Sequence, residues 1–262
     1  MQPHILILGA GIMGAALAHR LACLGAAVTC LDAGLPAGGA SGGSFGWVNA
    51  SFFLSEPHFH LRHAAMQAHQ ALARELGLNP TPQSCIWYED SGAGFDRQQA
   101  TLARLGYPLC VLDRAGIAAR EPHLADPPDR ALLFPTEDAV DLVTLTEALL
   151  AAAAARGANL YSGTRADALV TVQGRVTGIR CGQNNLFADQ VILATGIGTP
   201  ALLEPLGLTF PMLHRPGAIF RSQPLPRLLT HILATPEQEL RQDAAGRLIA
   251  PAAAAHQSDS AD

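Results

Sequence analysis

The sequence has few cysteines and no run of basic residues. Its five cysteines are odd in number and none are spaced as C-x-x-C, which argues against a disulfide framework and against a cysteine zinc site. The net charge of −5 at pH 7 gives no electrostatic footprint for nucleic acid, and nothing basic indicates a membrane surface. A small-molecule partner is therefore favoured.

A membrane-length hydrophobic run is also lacking. The apolar stretch from Ile5 to Ala18 is shorter than the roughly 20 residues that a membrane span needs, and no Lys or Arg precedes it. The sequence predicts no transmembrane segment, no signal peptide and a cytoplasmic location. Its 262 residues, 49% of them hydrophobic, suffice for one large or two ordinary domains with a buried core.

The strongest pattern is a short apolar strand, His4–Leu8, that runs through G-x-G-x-x-G into a helical apolar pattern. Gly9 permits a tight turn, Gly11 lets backbone approach a pyrophosphate, and Gly14 lets the helix pack closely on the strand. The amino-terminal end of that helix presents free N–H groups and a positive dipole end to phosphates. The predicted cofactor contacts in this motif are Gly9, Ala10, Gly11, Ile12, Met13 and Gly14.

A second strand, Ala27–Leu31, ends at Asp32, roughly 20 residues past the motif. An acidic residue at that place binds a ribose 2′-hydroxyl and disfavours the 2′-phosphate of NADP. We predict that Asp32 and the adjacent Ala33 contact the cofactor. The alternative is that Asp32 is only a turn residue before Ala33-Gly34.

The next stretch, Gly34–Ser51, is too rich in glycine for a helix and too rich in Phe, Trp and Val for a solvated linker. Its glycines, Gly38 to Gly43, can bring N–H groups near phosphate or ring oxygens, and Ser41 and Ser44 add hydroxyl donors. The alternative is an ordinary surface loop. Further along, Asp189–Gly196 reads as a buried strand that ends in A-T-G, consistent with a parallel strand whose carboxyl end reaches the same crevice.

Together, the opening motif with Asp32, the A-S-G-G-S-F-G-W-V-N-A loop and the V-I-L-A-T-G strand resemble the D-amino-acid oxidase family of FAD-dependent oxidoreductases. The resemblance runs from about His4 to Ile249. It implies an α/β fold with a Rossmann-like FAD-binding domain of glutathione-reductase type and a discontinuous α+β substrate domain. By resemblance Ala166 lies against adenine, with an element-boundary alanine as the alternative. The other implied FAD contacts are Ser41, Gly42, Gly43, Ser44, Ala194, Thr195 and Gly196.

The resemblance also implies a division of the chain. The FAD-binding domain is expected at 1–80 and 135–208, the substrate domain at 81–134 and 209–250, and a disordered tail at 251–262. Family members continue further, so we expect a substrate domain that is incomplete at the carboxyl terminus, and a partner subunit could cover it. Helices are predicted over Pro57–Leu76 and Asp96–Leu105, and a third helix, capped by Asp141 or Thr144, is predicted to run through Leu145 to Ala155. Strands are predicted over Leu109–Leu112, Asn159–Ser162, Ala168–Val172, Val176–Cys181 and Ile232–Ala234.

Two groups of side chains invite other functions. His58, His60 and His63, with His69 beyond, invite a metal site, since histidines three and four residues apart share a helix face. No carboxylate or cysteine completes a ligand set, so we predict a polar helix face and no metal. Arg215 and Arg221 could bind a substrate carboxylate through the guanidinium fork, or could belong to surface ion pairs.

The resemblance implies oxidation of the C–N bond of an amino acid or secondary amine, by hydride transfer to FAD and hydrolysis of the imine product. The sequence assigns no catalytic residue. Two alternatives stay open, an NAD-dependent dehydrogenase on the same fold, and a non-catalytic or split-enzyme subunit or truncated remnant of the family.

Overall fold

The computed structural model of the chain describes residues 2–78, 83–212 and 217–252. Its α-helices are α1 Ile12–Cys23, α2 Glu56–Glu75, α3 Gly92–Arg104, α4 Arg114–Arg120, α5 Leu142–Ala155 and α6 Thr199–Leu203. Its strands are β1 His4–Leu8, β2 Ala27–Leu31, β3 Trp47–Val48, β4 Cys85–Trp87, β5 Cys110–Asp113, β6 Arg130–Phe134, β7 Asp138–Ala139, β8 Asn159–Tyr161, β9 Ala168–Val172, β10 Arg175–Cys181, β11 Asn184–Phe187, β12 Gln190–Leu193, β13 Ile219–Arg221, β14 Ile232–Ala234, β15 Glu239–Gln242 and β16 Leu248–Pro251.

The chain divides into two compact units, each built from two segments. Unit 1 is Met1–Ser44 with Asp141–Arg215, and unit 2 is Phe45–Val140 with Pro216–Asp262. Residues 45–80, expected in the first domain, therefore belong to unit 2. The reason is packing, because Phe59 and Met66 of α2 are buried in one cluster with Trp87 of β4 and Phe134 of β6.

Unit 1 is organised around a parallel sheet of order β12-β1-β2-β8. Strand β1 lies at its centre, with Ile7 opposite Cys30 of β2 and opposite Ile192 of β12. Leu6, Leu8 and Leu31 pack against Ile179 of the antiparallel three-stranded sheet β11-β10-β9. Since side chains alternate along a strand, residues between these point to the other face, where Cys30 and Leu150 of α5 line one cleft. Helix α1 packs against α5.

Unit 2 contains a mixed sheet of order β13-β16-β15-β14-β4-β6-β5. Its main core cluster includes the fully buried rings of Phe59, Phe95 and Phe134, which come from α2, α3 and β6. Pro251, expected to begin a disordered tail, instead pairs with Ile219 in the sheet. Residues 253–262 lie outside the described residues, as does the predicted break at 79–82. None of the described helices is long and apolar enough to cross a membrane.

Candidate nucleotide-binding site

The glycine turn between β1 and α1 has the tight geometry that the motif predicts. Gly9 has φ +100°, and a Cβ there would lie 2.3 Å from the Ala194 carbonyl oxygen. A Cβ on Gly14 would lie 1.8 Å from the Gly9 carbonyl oxygen. Neither position tolerates a side chain, because each contact is with backbone. The turn thus brings α1 into direct contact with the end of β1.

The amino-terminal end of α1 offers backbone donors to an anion. The first helical hydrogen bond runs from Ala15 N to the Gly11 carbonyl at 2.9 Å, so the amides of residues 11–14 have no acceptor inside the helix. No acidic residue occupies the first turn. The Ile12 amide donates to Ser41 Oγ at 3.0 Å. This end of the helix therefore suits a pyrophosphate electrostatically.

Asp32 lies directly beside that turn. Its Oδ2 accepts from the Ala10 amide at 2.6 Å, and its Oδ1 accepts from the Gly34 amide at 2.8 Å. The carboxylate is part-exposed, and each oxygen retains a further lone pair. The side chain can consequently accept hydroxyl groups of a ribose without releasing the turn. Ala33, next to it, is exposed.

The loop at residues 37–44 folds back onto the turn, because the Ala37 amide donates to the Ala10 carbonyl at 3.0 Å. Ser41 has a role that the sequence reasoning missed. It was predicted as a hydroxyl donor, and its Oγ accepts a hydrogen bond from the Ile12 amide. Gly42 is tightly placed, with a hypothetical Cβ 2.5 Å from the Ala37 carbonyl oxygen. Gly43 is exposed and Ser44 is half-buried.

The predicted strand that ends in A-T-G reaches the same edge of the sheet as β1. Strand β12 runs parallel to β1, and the Ala194 amide donates to the Leu8 carbonyl at 2.7 Å. Thr195 Oγ1 lies 2.9 Å from Thr199 Oγ1, and the exposed Gly196 begins a 3₁₀ turn with φ +53°. The carboxyl ends of β1 and β12 are therefore adjacent, at the place where the strand order changes direction.

Ala166 follows β8, the strand that pairs with β2 on the side away from β1. It packs against the cluster of Leu6, Leu8 and Leu31, and its segment is tied to the site by the Thr164 amide, which donates to the Asp32 carbonyl at 2.8 Å. Nearby, Tyr161 and Thr164 line a cleft of about 360 Å³ that the sequence reasoning did not identify. Little in the sequence indicates this cleft, because the exposed apolar end of β8 shows neither a helical nor an alternating pattern.

Cys30, one residue from the end of β2, is not a nucleophile in this arrangement. Burial, together with the neighbouring Asp32 charge, raises the pKa of the thiol to about 12. Its Sγ lies 3.8 Å from the Gly9 carbonyl oxygen. The thiol is thus protonated at neutral pH and packs under the turn.

The histidines and arginines considered from the sequence lie in unit 2 or outside the described residues. His58 Nδ1 accepts from the Leu54 amide at 3.2 Å, His60 Nε2 lies 3.8 Å from Glu56 Oε1, and His63 stacks on Phe59. The side chains of these three histidines are therefore used in local contacts. Arg221 is exposed in β13, and Arg215 lies outside the described residues.

Residues 4–257 match the family described as FAD dependent oxidoreductase (DAO). The chain belongs to this family. The chain is 33% identical over 123 residues to a D-amino acid dehydrogenase of Rhizorhabdus wittichii, covering 46% of this chain and 30% of that protein. It is 38% identical over 114 residues to the D-amino acid dehydrogenase of Rhizobium johnstonii, covering 42% and 27%. These matches thus span less than a third of either relative.

Solved structures agree on the fold of this FAD-dependent family. Glycine oxidase from Bacillus cereus superimposes with a TM-score of 0.80 at 19% identity, over 96% of this chain and 71% of that one. The match supports the predicted fold class, a parallel sheet of Rossmann type combined with a second α+β unit. At this identity the likeness concerns the fold alone.

Proposed function

We propose that the chain binds FAD and, with it, oxidises the C–N bond of an amino acid or secondary amine. The observation that supports this most is the convergence of three features at one sheet edge in unit 1. These are the Gly9–Gly14 turn, the Asp32 carboxylate and the Ala194–Gly196 end of β12. Such an edge is where open α/β sheets bind nucleotides.

The residues at that edge fit the parts of FAD. The amides of Gly11, Met13 and Gly14 suit the pyrophosphate, with Ile12 beside them donating to Ser41 Oγ. Asp32 suits ribose hydroxyls, because its oxygens keep lone pairs. The Ser41–Ser44 loop, folded onto the turn, would close over the cofactor, and Ala166 would meet adenine. The other residues assigned to the site are Gly9, Ala10, Ala33, Ala194, Thr195 and Gly196.

In the proposed reaction, bound FAD supplies an acceptor for the hydride on the amine-bearing carbon, and water hydrolyses the resulting imine. The chain's own residues would hold the cofactor, since Asp32 suits its ribose and the α1 amides suit its pyrophosphate. Positioning of this kind contributes to rate by placing the reacting atoms in contact before the reaction. A neutral bound amine needs no strong protein base for this step.

The proposal predicts a yellow protein whose affinity for FAD depends on Asp32. In Asp32→Asn, one amide N–H faces the Ala10 or the Gly34 N–H, whichever way the side chain turns. We expect FAD to bind about tenfold more weakly, or ~1.4 kcal/mol, in a titration of apoprotein followed by flavin fluorescence.

Asp129→Asn is the matched control, because the Asp129 side chain is 97% exposed in unit 2, and it should bind FAD like the wild type. Loaded wild-type protein should lose its visible absorbance when mixed anaerobically with one of a panel of amino acids and secondary amines. A colourless chain that binds NAD and not FAD would contradict the proposal.

We propose also that a second copy of this chain docks along the outer edge of β12. Within the described residues β12 has a strand neighbour on one side only, and Val191, Ile192 and Leu193 are only half-buried. Parallel strands are normally covered on both faces, and the nearby Ile197 is 90% exposed. These features support a docking edge.

For the chain on its own we expect a mass that rises with concentration in size-exclusion chromatography with light scattering. Ile197→Lys should reduce this self-association, because it replaces the exposed apolar side chain with a charge. A mass that equals one chain at every concentration would contradict the proposed edge.

A further inference from the structure

A buried carboxylate in unit 2 collects three hydrogen-bond donors. Glu137 is fully buried between β6 and β7. Its Oε2 accepts from Trp47 Nε1 at 2.8 Å, and its Oε1 accepts from the Tyr107 hydroxyl at 2.8 Å and from the Ser51 amide at 3.3 Å. Two of these three donors belong to one short segment, Trp47–Ser51.

The rest of that segment is held from other elements. The Ala50 amide donates to the Tyr107 hydroxyl at 3.3 Å, so Tyr107 links Ala50 to Glu137. Arg62 of α2 donates from Nη2 to Asn49 Oδ1 at 2.6 Å and from Nε to the Asn49 carbonyl at 3.1 Å. The segment is therefore fixed through polar contacts at four of its five residues.

The two residues before the segment are also fixed. Gly46 has φ +75°, and a Cβ there would lie 2.1 Å from the Val140 carbonyl oxygen. Arg241 Nε donates to the Phe45 carbonyl at 2.6 Å. Ser44 precedes Phe45 directly, so the held segment begins where the Ser41–Ser44 loop ends.

We propose that Glu137 is a positioning residue, whose carboxylate fixes Trp47–Ser51 and thereby anchors the carboxyl end of the flavin-contacting Ser41–Ser44 loop. The inference rests on the proposed FAD site for its functional consequence. The anchoring of Trp47–Ser51 by Glu137 is independent of the proposed FAD site. Glu137 touches neither substrate nor cofactor in this assignment, and it acts through the loop. Burial of such a group is tolerated because its lone pairs are used by donors.

Glu137→Gln tests the anchoring with little change of shape. If the amide nitrogen faces Trp47, it opposes the indole N–H, and if it faces Ser51, it opposes a backbone N–H. One donor therefore loses its acceptor in either orientation. At pH 8 we expect FAD to bind five- to twentyfold more weakly than to the wild type. The Trp47 indole N–H resonance in ¹⁵N-correlated NMR spectra of the apoprotein should shift or broaden.

Three further variants make the test specific. Glu237→Gln, an exposed site in the same unit, should match the wild type in both measurements. Trp47→Phe added to Glu137→Gln removes the opposing indole donor, and should restore part of the lost FAD affinity. Tyr107→Phe, which keeps the carboxylate and loses one donor, should weaken FAD binding two- to threefold and keeps the test usable if Glu137→Gln does not fold.

The two possible failures can be told apart. A wild-type chain that binds no FAD overturns the proposed function, and with it the effect of Glu137 on the flavin, whereas the indole resonance still reports the anchoring. A wild-type chain that binds FAD, with Glu137→Gln and Tyr107→Phe binding equally well and an unchanged indole resonance, overturns the positioning role alone.

Discussion

Gly14→Ala is expected to destabilise unit 1 severely. The added Cβ would lie 1.8 Å from the Gly9 carbonyl oxygen and 3.0 Å from the Gly9 carbonyl carbon, both of them backbone atoms. The helix cannot move away without breaking its packing on the end of β1, so the expected loss in free energy of unfolding is at least ~3 kcal/mol. Urea denaturation followed by circular dichroism measures it, and FAD binding should be lost with the fold.

Gly39→Ala provides the matched control in the same unit. Gly39 is exposed, does not have a positive φ, and its hypothetical Cβ meets nothing within 4 Å. Alanine there should leave the free energy of unfolding within ~0.5 kcal/mol of wild type. If Gly14→Ala were as stable as Gly39→Ala, the close approach of α1 to the turn would be wrong.

Local sequence signals were sufficient for the elements around the nucleotide site. Strand β1 and strand β2 have the predicted bounds, because apolar runs next to glycine turns mark both ends. Helix α5 begins where the capping pattern predicted, with Asp141 accepting from the Thr144 amide at 2.9 Å. The A-T-G crossing beside β1 is confirmed by the pairing of β12 with β1.

Elements with weak local signals were missed. Strand β11 is fully exposed and polar at Asn184 and Asn185, so it shows neither alternation nor an apolar run. Strand β15, Glu239–Gln242, carries two charged residues, and its pairing with β14 and β16 determines its conformation. Glu121, which belongs to no predicted element, is fully buried and accepts from His231 Nδ1 at 2.6 Å.

Contacts between residues that are far apart in the sequence could not be predicted from local patterns. Ser41 was identified by its place in a glycine-rich loop, but its acceptor role depends on Ile12, 29 residues away. Glu137 gave no signal, because its partners Trp47, Ser51 and Tyr107 lie between 30 and 90 residues from it. The sequence Pro135-Thr136-Glu137-Asp138 is typical of an exposed turn, and only the tertiary fold surrounds Glu137 with donors.

The same carboxylate should make the stability of the protein depend on pH. Burial raises the pKa of Glu137 to about 7 from its usual 4.5, although the donors from Ser51, Tyr107 and Trp47 lower it. The folded state therefore binds more protons than the unfolded state between pH 4.5 and 7, and the free energy of unfolding falls as pH rises through that window. The other titratable or charged side chains that face Glu137 or adjoin it are Arg62 of α2, Cys85 of β4, Tyr107 and Asp138.

Glu137→Gln removes this titration, so the difference in free energy of unfolding between variant and wild type should change with pH. From pH 5 to pH 8 we expect wild type to lose ~2–3 kcal/mol relative to Glu137→Gln, as about two pKa units at 1.36 kcal/mol each require. Urea denaturation at half-unit pH steps measures both curves, and taking their difference cancels groups that the two proteins share. Glu237→Gln should follow the wild type, since that side chain is exposed. Parallel curves for wild type and Glu137→Gln would mean that the carboxyl keeps an ordinary pKa, and that its surroundings stabilise the ionised form as well as water does.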